Sequence, residues 1–367
     1  MLVSLKRVAT AGVIGLLALG ARPSTAHAAS DPEWRISYTS PGFPQDGLAE
    51  VAATGPNDAW AVGSGPCCGR DQRKILHWDG VQWQTVTPPP ALPKAFYPDL
   101  RTVAASSPTD VWVFGSDANS LVFGHHWDGV TWQTTEFGKD VVIRDAVALG
   151  PRDAWFIGTT GLETGEKPIA EHYDGDTWTT FDLPGNPTAI SAVAADDVWA
   201  VGQANGDAAA MHWDGRQWET AALPKPSVGP GVRVVSSDVL ATGPDDVWAS
   251  AVLAKNGLEP GVVLWHRSGG SWQQVNIDAP EDSVTKLASD GAGGLWMVSA
   301  GVRPSADLLH YSQSGLTREA APVGSAKDAS MNAITLIPGT RSLWGAGELV
   351  LDNGKSAAAV YRYDPAS

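Results

Sequence analysis

Positive charge is scarce in this 367-residue chain: 25 Lys and Arg stand against 40 Asp and Glu, a formal net charge of -15. Nucleic acid and anionic membrane surfaces, which need clustered cations, are therefore not expected as partners. An acidic surface reads first as solubility outside the cell, with acidic cation sites as the alternative. Long apolar runs are also lacking beyond one near the N-terminus, so no membrane span is expected. No G-x-S-x-G, H-E-x-x-H or P-loop spacing occurs, which removes the usual motif-level signs of catalysis. Cysteine is nearly absent, since Cys67 and Cys68 are the only two.

The N-terminal run belongs to a secretory leader. Lys6 and Arg7 precede an apolar stretch from Val8 to Leu19, and Ala26 and Ala28 supply small residues before a plausible cut. Residues 1–28 are read as a signal peptide, residues 29–367 as the mature, extracellular chain. No cysteine sits at the cut, which argues against a lipoprotein. Losing Lys6, Arg7 and Arg22 with the leader takes the net charge from -15 to -18.

What the sequence has in abundance is repetition. HWDGVQW at 77–83 returns as HWDGVTW at 126, HYDGDTW at 172 and HWDGRQW at 212. An earlier tryptophan recurs at 60, 112, 155, 199, 248, 296 and 344, giving seven units of about 47 residues. Each unit reads as four short strands. The first is small and β-branched (EVAAT, TVAAS, DVLAT), a Pro-containing turn such as GPND follows, and the second is AWAVG or its equivalent. The third ends in LHW, the Asp-Gly pair is expected to make a two-residue hairpin, and the fourth reads VQWQTV. Seven such units predict an all-β fold, a single seven-bladed β-propeller of four-stranded antiparallel blades. The last unit stops at YRYDPAS without a fourth strand, while DPEWRISYTSPG at 31–42 aligns with VQWQTVTPPP. The N-terminal strand should therefore complete blade seven, with Trp34 where Trp83 stands in blade one, and close the ring.

The repeat position also decides what HWDG is for. Of eight histidines, six occupy this position, one is in the leader, and only His125 lies elsewhere; of 17 tryptophans only Trp265 is out of register. A residue required in every blade is required by the blade, so these His and Trp read as scaffold. The expected partner of each His is the Asp before the strand-two Trp: Asp58, Asp110, Asp153, Asp197 and Asp246. No metal site is expected, because His residues one blade apart cannot converge tetrahedrally.

The DG-x-x-W hairpins resemble a shortened Asp-box, S-x-D-x-G-x-T-W, of sialidase-like propellers, although Asp79 and Gly80 are adjacent where that motif keeps a residue between them. The WD of HWDG is more weakly similar to WD40 repeats, whose GH dipeptide is absent, as is the double Gly of kelch repeats. In Asp-box proteins the motif is structural, so the resemblance implies a secreted bacterial propeller and says little about activity. The Arg cluster and the Tyr–Glu pair of a sialidase-like site cannot be assigned here.

Function should lie where the repeats differ. The first-to-second and third-to-fourth turns share one face; the opposite face carries variable loops, with 13 to 18 residues between the strand-two Trp and the repeat His. Three features mark it. In GSGPCCGRDQRK, adjacent Cα atoms about 3.8 Å apart fall below the usual disulfide range, so a Cys67–Cys68 disulfide would be strained and reducible. A loop clip, two free thiols and a redox or ligand contact all remain open. In TPPPALPKAFYPDL, Phe96 and Tyr97 either tuck over a blade edge or form a stacking platform, with Arg70, Asp71 and Lys94 adding polar contacts. The third feature is the residue before each first-strand core: Glu50, Thr102, Asp145, Asp238 and Lys286, either a ring for a polar ligand or cation or merely solvated strand ends. Together these lead to the expectation of a monomeric, secreted binding module for a glycan or an extracellular protein, acting through the loops around blades one and two. An extracellular hydrolase or lyase at the axial mouth is the alternative. No cofactor is indicated.

Overall fold

The computed structural model describes residues 33–65, 71–90, 92, 94–161, 165–255, 261–279, 282–300 and 307–366. The leader, Cys67, Cys68 and Arg70 lie outside the described residues. Every regular element among these is a strand, and the strands form seven four-stranded antiparallel sheets in which sequence neighbours pair. The innermost strands are Gly47–Gly55, Asp99–Ser107, Val141–Gly150, Asn186–Ala194, Arg233–Gly243, Val284–Ser289 and Asp328–Leu336. Each lies against the innermost strands of both neighbouring blades, so the seven close around one axis.

Blade seven combines Asp328–Leu336, Leu343–Val350 and Ser356–Asp364 with the N-terminal strand Glu33–Thr39. Trp34 pairs with Tyr363 as Trp83 pairs with Trp78, which is the closure read from the repeats. The edge that a broken last repeat would expose is thus paired from the other terminus.

Tryptophan makes the seams. The strand-two Trp of one blade meets the outer-strand Trp of the next edge-on in six seams: Trp60 with Trp132, Trp112 with Trp178, Trp155 with Trp218, Trp199 with Trp272, Trp296 with Trp34, and Trp344 with Trp83. Ring centroids are 5.1–6.0 Å apart and the planes 78–86° apart, the edge-to-face geometry favoured by the ring quadrupole. The seventh seam is the one whose repeat carries Leu316 instead of Trp; there Trp248 packs with Leu316 and Tyr311.

Every innermost strand carries a β-bulge no later than its midpoint, with Ala49, Arg101, Arg144, Thr188, Ser237, Thr285 and Asn332 as the inserted residues. In five blades the glycine three positions after the strand-two Trp faces this bulge. A Cβ on Gly63, Gly115, Gly158, Gly202 or Gly347 would sit 1.8–2.2 Å from an innermost-strand carbonyl oxygen, so only glycine fits.

The third-to-fourth hairpin differs from the expectation. Trp78 pairs with Trp83, so the loop has four residues rather than two, and Asp79 Oδ1 accepts from the amides of Val81 and Gln82, both at 2.9 Å. Asp128, Asp174 and Asp214 repeat the arrangement. The aspartate carboxylate acts as the turn's own acceptor and needs two residues more than a tight hairpin. Two-residue turns occur where this Asp is replaced: Ser268 pairs with Ser271 through Gly269 and Gly270, both at positive φ, and Ser312 pairs with Gly315.

Candidate functional site

The six repeat histidines are scaffold. Each stacks on the strand-two Trp of its own blade, with centroids 3.9–4.4 Å apart. In blades one to five Nε2 also donates to the expected aspartate: His77 to Asp58, His126 to Asp110, His172 to Asp153, His212 to Asp197 and His266 to Asp246, at 2.7–2.9 Å. Blade six uses Asp290 from the turn between its first and second strands, 3.0 Å from His310. Blade seven substitutes Arg362, whose guanidinium lies 4.8 Å over Trp344 while Nε donates to Asp364. Thr54, Ser106 and Thr242 donate to the second oxygen of the same aspartates. The carboxylate therefore separates hydroxyl from imidazole, and in these three blades the repeat His makes no contact with that hydroxyl.

The axial residues do converge. Lys286 of blade six donates to Glu50 Oε2 of blade one at 3.0 Å, reaching past blade seven, whose residue at this station is Ala333. Asp145 and Asp238 complete the cluster by charge. Both are buried, as is Thr102, whereas Glu50 and Lys286 are half-buried; none is a solvated strand end. Two carboxylates also stitch blades: Asp145 Oδ2 accepts from Ile190 N at 3.0 Å and Asp238 Oδ2 from Leu287 N at 2.7 Å. Burial pushes the Asp238 carboxyl up to about 7, against the pull of Lys286 and helped by Asp145 and Glu50. Glu50 is raised for the same first reason. Burial alone would lower Lys286, but Glu50, Asp145 and Asp238 hold it well above its usual value. The cation that the carboxylates surround is the protein's own ammonium. Among the described residues no three His, Cys, Asp or Glu side chains are placed to share a metal ion.

On the variable face, Phe96 and Tyr97 are 52% and 36% exposed, with ring centroids 4.2 Å apart in edge-to-face contact. Their loop is pinned from two sides. Phe96 N donates to Asp117 Oδ2 at 2.8 Å and Ala118 N donates to Phe96 O, fixing it to the second-to-third loop of blade two. Gln72 N donates to Pro98 O at 3.1 Å, fixing it to blade one. Lys94 is exposed in the same loop. The structure thus gathers Phe96, Tyr97, Lys94 and the Asp71 segment, as the sequence suggested, and keeps the axial cluster separate. Asp71 itself is engaged: Arg73 donates to both of its oxygens, at 2.9 and 2.6 Å, and holds its carboxyl below the usual range despite partial burial.

Sequence reasoning did not assign His125, the histidine outside the repeat. It receives Arg73 Nη1 at 2.9 Å on Nε2 and meets Thr134 at 2.8 Å through Nδ1, joining blades one and two beneath the Phe96 loop. Burial, then Arg73, lowers its pKa to about 4. Also unassigned was a cavity of about 320 Å³ at the seam of blades two and three, lined by Asp117 and Ser120 on the Phe96 side and by Arg101 and Arg144. A second, of about 370 Å³, lies at the seam of blades four and five, floored in part by Trp265.

No family model matches the chain, and no curated protein matches it. Solved structures match its fold. YCF48 from Cyanidioschyzon merolae is 14% identical over 92% of this chain and 99% of its own, with a TM-score of 0.55. SapL1 lectin in complex with alpha methyl fucoside is 14% identical over 76% of this chain and 96% of its own, at 0.50. A variant of AofleA from Arthrobotrys oligospora is 12% identical over 72% and 83%, also at 0.50. At these identities the likeness is one of fold.

Proposed function

We propose that this protein is a secreted carbohydrate-binding propeller that engages sugar on its variable loop face, at the Phe96–Tyr97 pair. The observation that carries the reading is that pair: two adjacent exposed aromatics, outside the repeat, held by backbone hydrogen bonds from two blades. Exposed aromatic rings offer the apolar C–H face of a pyranose a stacking surface, and a platform fixed beforehand loses little conformational freedom on binding. The neighbouring cavity of about 320 Å³ is at the small end of ligand-site sizes and suits one sugar unit. SapL1, which shares the fold, is solved with alpha methyl fucoside, so a propeller of this kind accommodates a sugar.

The engaged repeat and axial residues argue against the hydrolase or lyase alternative. The His and Asp side chains are consumed by Trp stacking and blade bonds, and the axial carboxylates by Lys286 and backbone amides. The test is a thermal-shift screen of the protein against neutral and acidic oligosaccharides, since a ligand that binds only the folded state raises the melting temperature by mass action. A dose-dependent rise with at least one carbohydrate supports the reading. No rise with any carbohydrate, alongside capture of a protein partner from culture medium, replaces it.

A further inference from the structure

The bulge that each innermost strand carries provides seven equivalent stations around the variable face. Five are filled by neutral residues: Ala49, Thr188, Ser237, Thr285 and Asn332. The other two are Arg101 in blade two and Arg144 in blade three, adjacent blades whose seam holds the 320 Å³ cavity. A bulged residue drops out of the ladder, so its side chain is re-aimed from the regular alternation. Both arginines line that one cavity and both are exposed.

Their charge is poorly compensated. Arg101 makes a single contact to Asp99 at 3.2 Å with its side chain 69% exposed, an ion pair of little net strength in water. Arg144 has no ion-pair partner among the described residues. Asp117 also lines the cavity, but its oxygens already accept from the amides of Phe96, Asn119 and Leu121 at 2.8 Å each. The walls add hydroxyls at Thr102, Ser116 and Ser120, none of which has a hydrogen-bond partner among the described residues. In a chain of net charge -15, one cavity lined by two arginines and three such hydroxyls is a local exception. At physiological salt, charges farther from the cavity than about 8 Å are largely screened, so the groups lining it dominate the field an entering ligand meets.

We propose that this seam cavity is the acid-selective subsite of the carbohydrate site: it takes a uronic acid, with the sugar carboxylate received by the Arg101 and Arg144 guanidiniums and ring hydroxyls by Thr102, Ser116 and Ser120. Guanidinium forks match a carboxylate in two parallel hydrogen bonds, which an ammonium does not. The inference rests on the glycan reading and deepens it, placing the acidic unit across the Asp117 loop from the Phe96–Tyr97 platform.

The test is calorimetric titration of the purified protein with short oligomers of glucuronate, galacturonate and mannuronate, each beside its methyl ester. The expected result is binding of at least one acid form, roughly tenfold or more weaker as the ester, and weakening as salt is raised. Arg144→Ala and Arg101→Ala should each lower affinity for the acid roughly tenfold while leaving the melting temperature in place, since both side chains are exposed; Arg144→Lys should recover only part. Equal affinity for acid and ester, or an unchanged Arg144→Ala, overturns the subsite. So does failure of every uronide while neutral oligosaccharides bind in a Tyr97-dependent way, and that outcome leaves the glycan reading standing. Failure of acidic and neutral sugars alike removes both.

Discussion

The backbone amide of Phe96 donates to Asp117 Oδ2 at 2.8 Å, while Asp117 Oδ1 accepts from Asn119 and Leu121 at the same distance. One buried carboxylate thereby shapes the second-to-third loop of blade two and locks the blade-entry loop onto it. Asp117 holds the loop through the backbone amide of Phe96, which separates what presents the platform from the rings that would touch a ligand.

Asp117→Ala should release the loop. The lost charge-assisted bonds to amides are worth about 1.5–3 kcal/mol each before relaxation, so the melting temperature is expected to fall by several degrees. Proteolysis should begin within 94–98, and Phe96→Ala should not reproduce it. Resistance of the Asp117→Ala loop to protease would mean that the backbone bonds Gln72 N to Pro98 O and Ala118 N to Phe96 O suffice.

Removing Trp34 should open the ring at its closure. Its indole is buried against Trp296 and Tyr363, and Trp→Ala in a core costs about 3–5 kcal/mol. A chain lacking residues 30–42 should expose the Ser356–Asp364 edge and self-associate, as light scattering would show. A truncated chain that stays monomeric and equally heat-stable would contradict the closure.

Gly202→Ala places a Cβ 1.9 Å from the Asn186 carbonyl oxygen, against backbone that cannot swing aside. A loss of at least about 1–3 kcal/mol is expected from denaturant titration. Gly206→Ala, at a turn with nothing within 4 Å, serves as the control: it removes a glycine without a collision, though its positive φ carries a smaller strain.

The axial cluster makes stability depend on pH. The folded Asp238 carboxyl sits at about 7, above its ordinary 3.8, so between these values the folded state holds the proton more tightly than the unfolded chain. Stability contributed by this group therefore falls as pH rises from about 4 through 7. Asp238→Asn, whose amide oxygen can still accept from Leu287 N, should stabilise the protein at pH 8 relative to wild type and make little difference near pH 4. An equal effect at both pH values would show that the carboxyl titrates normally.

Much of this architecture was written into the repeats. Because His77 and Asp58 recur together blade after blade, their pairing follows from the count, and the repeat alone matches Trp34 to Trp83. The hairpin departs from the sequence expectation because Asp-Gly alone signals a tight turn, whereas the carboxylate of Asp79 reaches two amides and widens the loop by two residues. The signal was present in the spacing from Trp78 to Trp83. Glycines such as Gly63 announce the bulge only once its carbonyl is seen pressing on them, so Arg101 and Arg144 stayed hidden among ordinary strand residues. Glu50 and Lys286 are legible as strand-entry residues, but their contact depends on Ala333 leaving the space between blades six and one. His125 was visible as the odd histidine; its role needed Arg73, 52 residues away.

The most direct test of the central claim is titration of a carbohydrate that raises the melting temperature into wild-type, Phe96→Ala and Tyr97→Ala protein, with the melting temperature of each variant measured alone. A platform on the variable face predicts that both substitutions weaken binding at least about tenfold, since an aromatic contact is worth about 1 kcal/mol or more beyond the area it buries, while the melting temperature stays within about two degrees of wild type. Undiminished affinity in both variants would move the site off this loop and contradict the account.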